Sequence, residues 1–298
     1  MKDKVIFILG PTAVGKSYFG IKLAQKFGGE IISADSVQIY RGLDIGSAKQ
    51  LDTHGVVHHA IDILEPEENF SVFEFVEYTK QKIKEITASG KLPIVVGGTG
   101  LYIKALTLGY NFGGAEKDDE LRSKLERIAE AEGVEKLFEI LQSLDPEMAA
   151  KIDKFNPVRL VRAIEIASQK GEKQTSEVDI DPLVIAVTKD REKLYADINL
   201  RVDQMFEEGL LEEVKGLLAR GLTEENQSMR AIGYKEVVTY IKGECSFEEM
   251  SNLIKQHTRN YAKRQMTFLR GMDCTFVGAN DRAKALEDIE KIVGDFLR

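Results

Sequence analysis

The first hundred residues alternate between two kinds of hydrophobic pattern. Val5 to Leu9 (VIFIL) is an unbroken apolar run, whereas SYFGIKLAQKF, which follows it, repeats its apolar positions with helical spacing in Phe19, Leu23 and Phe27. GGEIISADS then reads as a short buried strand that ends in polar residues. A loop-like segment with three histidines leads to Ser71-Val72-Phe73-Glu74, an S-x-x-E pattern that predicts a helix start, with Gly90 after Ser89 as its stop. Lys91-Leu92-Pro93-Ile94-Val95-Val96 is the next buried strand, and a further helix is predicted from about Leu101. Strands alternating with helices predict an α/β fold: a parallel sheet covered by helices on both faces.

From about Gly113 to Ile152 the strand signal disappears. DDELRSKLERIAEAEG, VEKLFEILQSL and DPEMAAKI read as short charged helices, and Asn156-Pro157 caps and starts another, VRLVRAIEIASQKG. Leu183 to Val187 (LVIAV) looks like a strand returning to the sheet. The remainder is expected to be long helices over roughly 190–219, 234–242 and 247–269, with a last one near the C-terminus. The expected organisation is a core of residues 1–113 and 181–298 interrupted by an all-helical insertion, 114–180.

Between the first strand and the first helix stands Gly10-Pro11-Thr12-Ala13-Val14-Gly15-Lys16-Ser17, the pattern G-x-x-x-x-G-K-S. Strand before and helix after are the setting in which this pattern makes a P-loop, so the core is expected to be P-loop NTPase-like. Backbone N–H groups of the loop converge on phosphate oxygens, Lys16 reaches the terminal phosphates, and Ser17 offers a hydroxyl to Mg²⁺. Asp35 lies just past the second strand, at the carboxyl edge where the P-loop also sits. A carboxylate there can cap a turn, bind Mg²⁺ or take a proton from a nucleophile. After Val96 the chain has Gly97-Gly98 instead of the Asp of a Walker B strand, and no guanine-reading N-K-x-D tetrad is present, so motor and switch NTPases lose ground. A phosphate-holding transferase or a small kinase remains.

Charge adds a second theme. The net charge is −8, yet SNLIKQHTRNYAKRQMTFLRGM (residues 251–272) contains no acidic residue. On a helix, Lys255, Arg259, Lys263 and Arg270 form one stripe and Ile254, Tyr261 and Phe268 another. Lys151, Lys154, Arg159 and Arg162 form a second basic cluster, and MRAIGYK, residues 229–235, a third, so a local surface for a polyanion is expected. His58 and His59, near His54 and Asp62, have no spacing that completes a metal site and read as structural. Arg201, within a predicted helix, reads by position alone as an ion-pair partner. No apolar run approaches the roughly 20 residues of a membrane span. The two cysteines, Cys245 and Cys274, lie far apart without C-x-x-C spacing. A cytoplasmic monomer is expected.

GPTAVGKS, SADSVQIYRGLDIGSAK (residues 33–49), VVGGTGLY, NPVRLVRAIEI, RVDQMFEEGLLEEV, RAIGYKE and KRQMTFLR together resemble the bacterial tRNA dimethylallyltransferases, or tRNA isopentenyl transferases, from residue 5 to about 272. Val57 departs from the proline expected before the paired histidines, and Ser17 and Ser47 replace the commoner threonines. The resemblance implies transfer of a dimethylallyl group from dimethylallyl diphosphate to N6 of adenine 37, beside the anticodon of tRNAs that read codons beginning with U. It implies that the P-loop, with Mg²⁺ on Ser17, holds the departing diphosphate, that Arg201 adds a guanidinium to the same oxygens, that Asp35 takes the proton of the adenine amine, and that Thr12 helps to orient these groups. It also places Asp35, Ser36, Val37, Gln38, Thr99, Arg122, Arg159, Leu160, Val161, Arg162, Ala163, Arg230, Gly233, Tyr234, Lys235, Lys263, Arg264, Gln265 and Arg270 around the tRNA anticodon stem-loop, with the helical insertion as a clamp. An adenylate dimethylallyltransferase, a small-molecule P-loop kinase and a non-catalytic RNA-binding protein are the rival readings.

Overall fold

A computed structural model of the chain describes residues 2–50, 52–108, 118–169 and 180–298. The described residues form two compact units: Met1–Thr107 with Val178–Arg298, and Leu108–Glu177. The expected boundaries at 113 and 180, and the start of the insertion at 114, fall on or beside residues outside the described ones.

The larger unit is built on a parallel sheet in the order β3-β2-β4-β1-β5-β6. Its strands are β1 (Asp3–Leu9), β2 (Gly29–Ala34), β3 (His58–His59), β4 (Leu92–Gly97), β5 (Ile180–Thr188) and β6 (Thr275–Gly278). The apolar runs read as strands are these central ones, and they are buried on both faces, which is why they do not alternate. The first two helices between them, α1 (Lys16–Phe27) and α2 (Val72–Ala88), lie where the sequence places them. Ser71 caps α2 in a capping box with Glu74. One side of the core collects Phe19, Leu23 and Ala24 of α1 with Ile6 and Ile8 of β1, Ile94 and Val96 of β4 and Ile185 and Val187 of β5.

Register decides where the chemistry can be. Leu9 pairs with Gly97 in β1–β4, and Ala34 pairs with the same Gly97 in β2–β4. The next residues, Gly10, Asp35 and Gly98, therefore leave the carboxyl edge side by side. The N–H of Thr99 donates to Ala34 O at 3.4 Å, which draws the loop after β4 towards the one after β2.

Two expectations change. The pattern over 190–219 is two helices, α8 (Arg191–Glu207) and α9 (Leu210–Ala219), because Gly209 takes a left-handed conformation, φ 106°, between them. The histidine segment, read as loop, contributes the edge strand β3, and residues 275–278, to which the pattern assigns no element, form the other edge strand, β6; His59 pairs with Glu30 at 2.6 Å and His58 bonds to Val56 O at 2.9 Å, in keeping with a structural role. Downstream of η-type turns in 228–230, α10 (Tyr234–Ile241) and α11 (Phe247–Arg270) follow, and α12 (Arg282–Leu297) closes the unit after β6. α3 (Gly100–Leu108) follows β4.

The smaller unit consists of α4 (Asp119–Glu132), α5 (Val134–Leu144), α6 (Pro146–Ala149) and α7 (Pro157–Gln169) around Leu125, Leu137, Leu141, Leu160 and Ile164. Asn156 caps α7 as predicted, accepting from Arg159 N at 3.1 Å. Glu165 of α7 is fully enclosed and ties the unit together. It takes Arg122 through two bonds of 2.9 and 2.8 Å, the N–H of Asp118 at 2.7 Å, and Arg162. Burial alone raises its pKa; the hydrogen bonds from Arg122, Asp118 and Arg162 outweigh it and hold the carboxyl at about 2.

Because that folded value lies below the unfolded one, the stabilisation is present above the unfolded pKa and is lost as pH falls from about 4.5 towards 2. Its size is at most about 3 kcal/mol. Glu165→Gln is expected to lower stability in urea unfolding at pH 6, and the gap between variant and parent is expected to narrow at pH 3. An unchanged gap contradicts the assignment.

Candidate active site at the carboxyl edge of the sheet

The loop from Gly10 to Ser17 wraps the N-terminus of α1. Gly15 at the helix start is left-handed, φ 96°, and so is Ala13, φ 63°, a conformation that costs a non-glycine residue about 1–2 kcal/mol. Successive turns of this kind point backbone N–H groups inward as an anion nest. Lys16 curls back so that its Nζ donates to Pro11 O at 2.8 Å.

Thr12 is held from two sides. Its N–H donates to Oε1 of Gln265 on α11 at 2.9 Å, and its Oγ1 accepts from Nη1 of Arg201 on α8 at 3.3 Å. Gln265 also donates to Gly98 O at 3.0 Å, so one amide side chain fastens the P-loop to the loop after β4. A Cβ on Gly98 would sit 2.1 Å from Gln265 Nε2, so any side chain there would displace this amide.

Burial, the nearby Arg201 charge and, in the opposite sense, Asp35 together set the Lys16 pKa at about 8, down from 10.5. Arg201 is lowered by burial and raised by Asp35. Two cations thus stand close together beside an array of amide donors, and the acid that partly offsets them is Asp35. That residue caps a turn, the structural one of the readings its position allows. Its Oδ1 accepts from the N–H groups of Val37 and Gln38, at 2.9 and 3.4 Å, while Oδ2 has no hydrogen-bond partner among the described residues. One oxygen holds the turn and the other is uncommitted.

Tyr261 of α11 belongs to this site, although the sequence shows it only as part of an inward-facing stripe. Its hydroxyl lies beside Thr99 and Gln265, and burial followed by the Asp35 charge pushes its pKa to about 12. A polar-tipped aromatic on the packed face of a basic helix is the signal that could have marked it.

The residues expected around RNA separate into two groups. Arg159, Arg230, Lys235, Lys263, Arg264 and Arg270 are exposed, and Ser36, Val37, Thr99, Arg122 and Arg162 are partly so. An open cleft on α11 is lined by Asn260, Lys263, Arg264, Thr267 and Phe268. Leu160, Val161 and Ala163 are instead buried in the core of the helical unit, since helical spacing turns Arg159 outwards and them inwards. Tyr234 is fully buried, Gly233 is buried, and Gln265 is occupied with Thr12 and Gly98. The amide of Gln38 is also engaged, accepting from Ser33 and donating to Ser47 O and Ala48 O. These side chains support a surface; they do not form it. The basic stripe of α11 is shorter than expected as well, because Lys255 pairs with Asp203 and Arg259 with Asn199.

Lys16 is charged below its pKa, so anion affinity should be greatest below pH 8 and fall as pH rises through it. Calorimetric titration with inorganic pyrophosphate is expected to show this decline, and Lys16→Ala to remove both most of the affinity and its pH dependence. Affinity that stays flat from pH 7 to 9.5 contradicts a titrating Lys16 in the nest.

The IPP transferase family model matches residues 38–272, and a model described as isopentenyl transferase matches residues 3–56. A tRNA dimethylallyltransferase of Exiguobacterium is 50% identical, aligned over 90% of this chain and 88% of its own. One from Bacillus cereus is 46% identical over 98% and 95%. The solved full-length tRNA isopentenylpyrophosphate transferase of Bacillus halodurans matches with a TM-score of 0.76 at 40% identity, covering 99% of this chain and 96% of that one. A eukaryotic dimethylallyltransferase described as acting on tRNA matches with a TM-score of 0.85 at 29% identity, covering 99% and 79%. With a family model spanning most of its length and relatives of this identity covering nearly all of it, the chain belongs to the IPP transferase family.

Proposed function

We propose that the protein transfers a dimethylallyl group from dimethylallyl diphosphate to N6 of adenine 37, next to the anticodon of tRNAs that read codons beginning with U, releasing diphosphate. The observation that carries this reading is the juxtaposition of a cationic amide nest with a carboxylate that has one uncommitted oxygen. The nest suits an anion, and the carboxylate suits a group that loses a proton. The relatives' activity on tRNA supports it.

In this reading the allylic C–O bond breaks and its electron pair goes to the diphosphate. The N–H groups of the P-loop, Lys16 and Arg201 stabilise the charge that grows there. The N6 lone pair forms the new C–N bond, and its proton passes to Oδ2 of Asp35. An exocyclic amine is a weak nucleophile, so holding it against the allylic carbon contributes more than basicity does. Thr12, clamped by Gln265 and Arg201, keeps the nest in line with the carboxylate. The target base leaves its stack to reach the pocket.

The residues fit Mg²⁺ of the kind that keeps most of its ligands on water and phosphate. No cluster of three acidic, histidine or cysteine side chains occurs among the described residues, and Ser17, in the first turn of α1 next to Lys16, would offer its hydroxyl to the ion. When bound there, the ion neutralises further charge on the leaving diphosphate. On the RNA side, exposed Lys151, Lys154 and Arg159 of the helical unit and Lys263, Arg264 and Arg270 of α11 supply phosphate contacts for the anticodon stem-loop. No helix among the described residues is long and apolar enough to cross a membrane, and a tRNA substrate puts the reaction in the cytoplasm.

Incubation with dimethylallyl diphosphate, Mg²⁺ and unmodified tRNA, followed by nucleoside mass analysis, is expected to yield N6-dimethylallyladenosine. Asp35→Ala should lower turnover by about a thousandfold or more while tRNA binding stays within a few fold. Transfer to free AMP or ATP in preference to tRNA supports the adenylate enzyme instead, and transfer of the ATP γ-phosphate supports a kinase.

A further inference from the structure

Between β2 and β3 lies a loop, residues 43–49, that no part of the proposed reaction touches, yet it is among the most heavily bonded segments of the protein. The carboxylate of Glu213, on α9, faces three consecutive backbone N–H groups of it. Oε2 accepts from Asp44 at 2.9 Å and Ile45 at 2.7 Å, and Oε1 accepts from Gly46 at 3.1 Å. Oε1 also accepts from the hydroxyl of Tyr234, the first residue of α10, at 2.7 Å. Burial followed by the Glu213 charge holds the Tyr234 pKa well above the usual range. The fit is close: a Cβ on Gly46 would lie 2.5 Å from the Tyr234 ring. From below, the buried ammonium of Lys49 donates to Tyr40 O at 2.9 Å, Asp44 at 2.5 Å and Asp62 at 2.6 Å.

The loop so held has one output towards the site. Its Ser47 O and Ala48 O accept from Nε2 of Gln38, at 3.2 and 3.3 Å, while Oε1 of Gln38 accepts from Ser33 at 3.0 Å. Gln38 is therefore fixed at both ends of its amide, and its backbone N–H, with that of Val37, holds Oδ1 of Asp35. A continuous path runs from Glu213 and Tyr234 through residues 44–48 and Gln38 to the carboxylate that faces the nest.

We infer that Glu213 and Tyr234 are positioning residues for Asp35: through the 43–49 loop and Gln38 they fix the turn that aims its free oxygen at the acceptor amine. This rests on the proposed prenyl transfer, and it gives Tyr234 a different task from the RNA contact expected of its segment. Ordering of this kind matters because displacement of a reacting group by about 1 Å can cost about a hundredfold in rate. Substrate binding has no reason to change, since neither residue faces the nest or an exposed basic surface.

The test is a double-mutant cycle on the full chain with tRNA and dimethylallyl diphosphate, read in steady state and, for slow variants, in single turnover with enzyme in excess. Glu213→Ala is expected to lower kcat by about tenfold to a hundredfold with both KM values within about twofold, and Glu213→Gln, which keeps an acceptor oxygen, by less. Tyr234→Phe, which removes one hydroxyl and so tests the same path if the Glu213 variants fold poorly, should lower kcat by about three- to tenfold. In an Asp35→Ala background neither change should lower the residual rate further, because no carboxylate remains to be aimed. Equal losses in both backgrounds, or a loss that appears in the KM for tRNA or for the donor, overturn the inference. Amide exchange gives a readout without activity: Asp44, Ile45 and Gly46 should lose protection in Tyr234→Phe along with Val37 and Gln38. Protection lost at the first three alone also overturns it, whereas a parent enzyme that fails to modify tRNA sinks the functional proposal and leaves the exchange result to stand or fall by itself.

Discussion

Two cations placed side by side repel each other, and the site at the sheet edge is organised around holding them there. Burial and then the Arg201 charge depress Lys16, so the pair resists coexistence in the free protein and gains most from a multiply charged anion. The loop that carries Lys16 also contains Ala13 in a left-handed conformation, which by itself favours relaxation. What opposes both tendencies is mostly neutral hydrogen bonding: Gln265 on Thr12 and Gly98, and the Thr12 hydroxyl under Arg201. An uncharged clamp suits this place, since a carboxylate in the Gln265 position would neutralise the field meant for the ligand. Asp35 is the acid allowed near it, and its offset of both cations keeps them charged enough to act.

The same economy explains why helices remote in sequence converge on one edge. α8 and α11 pack together, with Lys255 on Asp203 and Arg259 on Asn199 joining them. That seam fixes Arg201 relative to Tyr261 and Gln265, so the cation and its restraining amide move as one piece. α9 and α10 address the other flank, through Glu213 and Tyr234 on the loop after β2. Each half of the chemistry, anion and carboxylate, has its own helical buttress.

Much of this was legible in the residues. Val5 to Leu9, the G-x-x-x-x-G-K-S pattern and the helix behind it are strand, loop and helix because buried parallel strands are continuous apolar runs and the loop must turn tightly. Asp35 was locatable from its place after a strand. What could not be read is direction. NPVRLVRAIEI marks a segment without saying which residues face out, and helical period then sends Leu160, Val161 and Ala163 into the core and Arg159 to the surface. β3 and β6 are too short to carry a periodic signal, and they exist because edge strands complete the sheet through long-range pairing. The site contacts of Tyr261 and Glu213 are not legible for the same reason: their partners are distant in the chain and meet them only when the helices pack.

Acidic proteins that bind RNA face a question of where to leave their positive charge. Here many cations are committed to protein partners: Arg122 and Arg162 to Glu165, Lys49 to two aspartates, Lys255 to Asp203. Among the cations that stay exposed, Lys151, Lys154 and Arg159 cluster in one short stretch of the helical unit and Lys263, Arg264 and Arg270 in another on α11, while others, such as Lys22, Lys84 and Lys193, are scattered. With a net charge of −8 the protein as a whole repels a phosphate backbone. A cluster of cations on a protein of net negative charge favours a ligand that brings several phosphates to that cluster over one that merely carries charge. Discrimination for a folded stem-loop can thus begin in the distribution of charge, before any base is read.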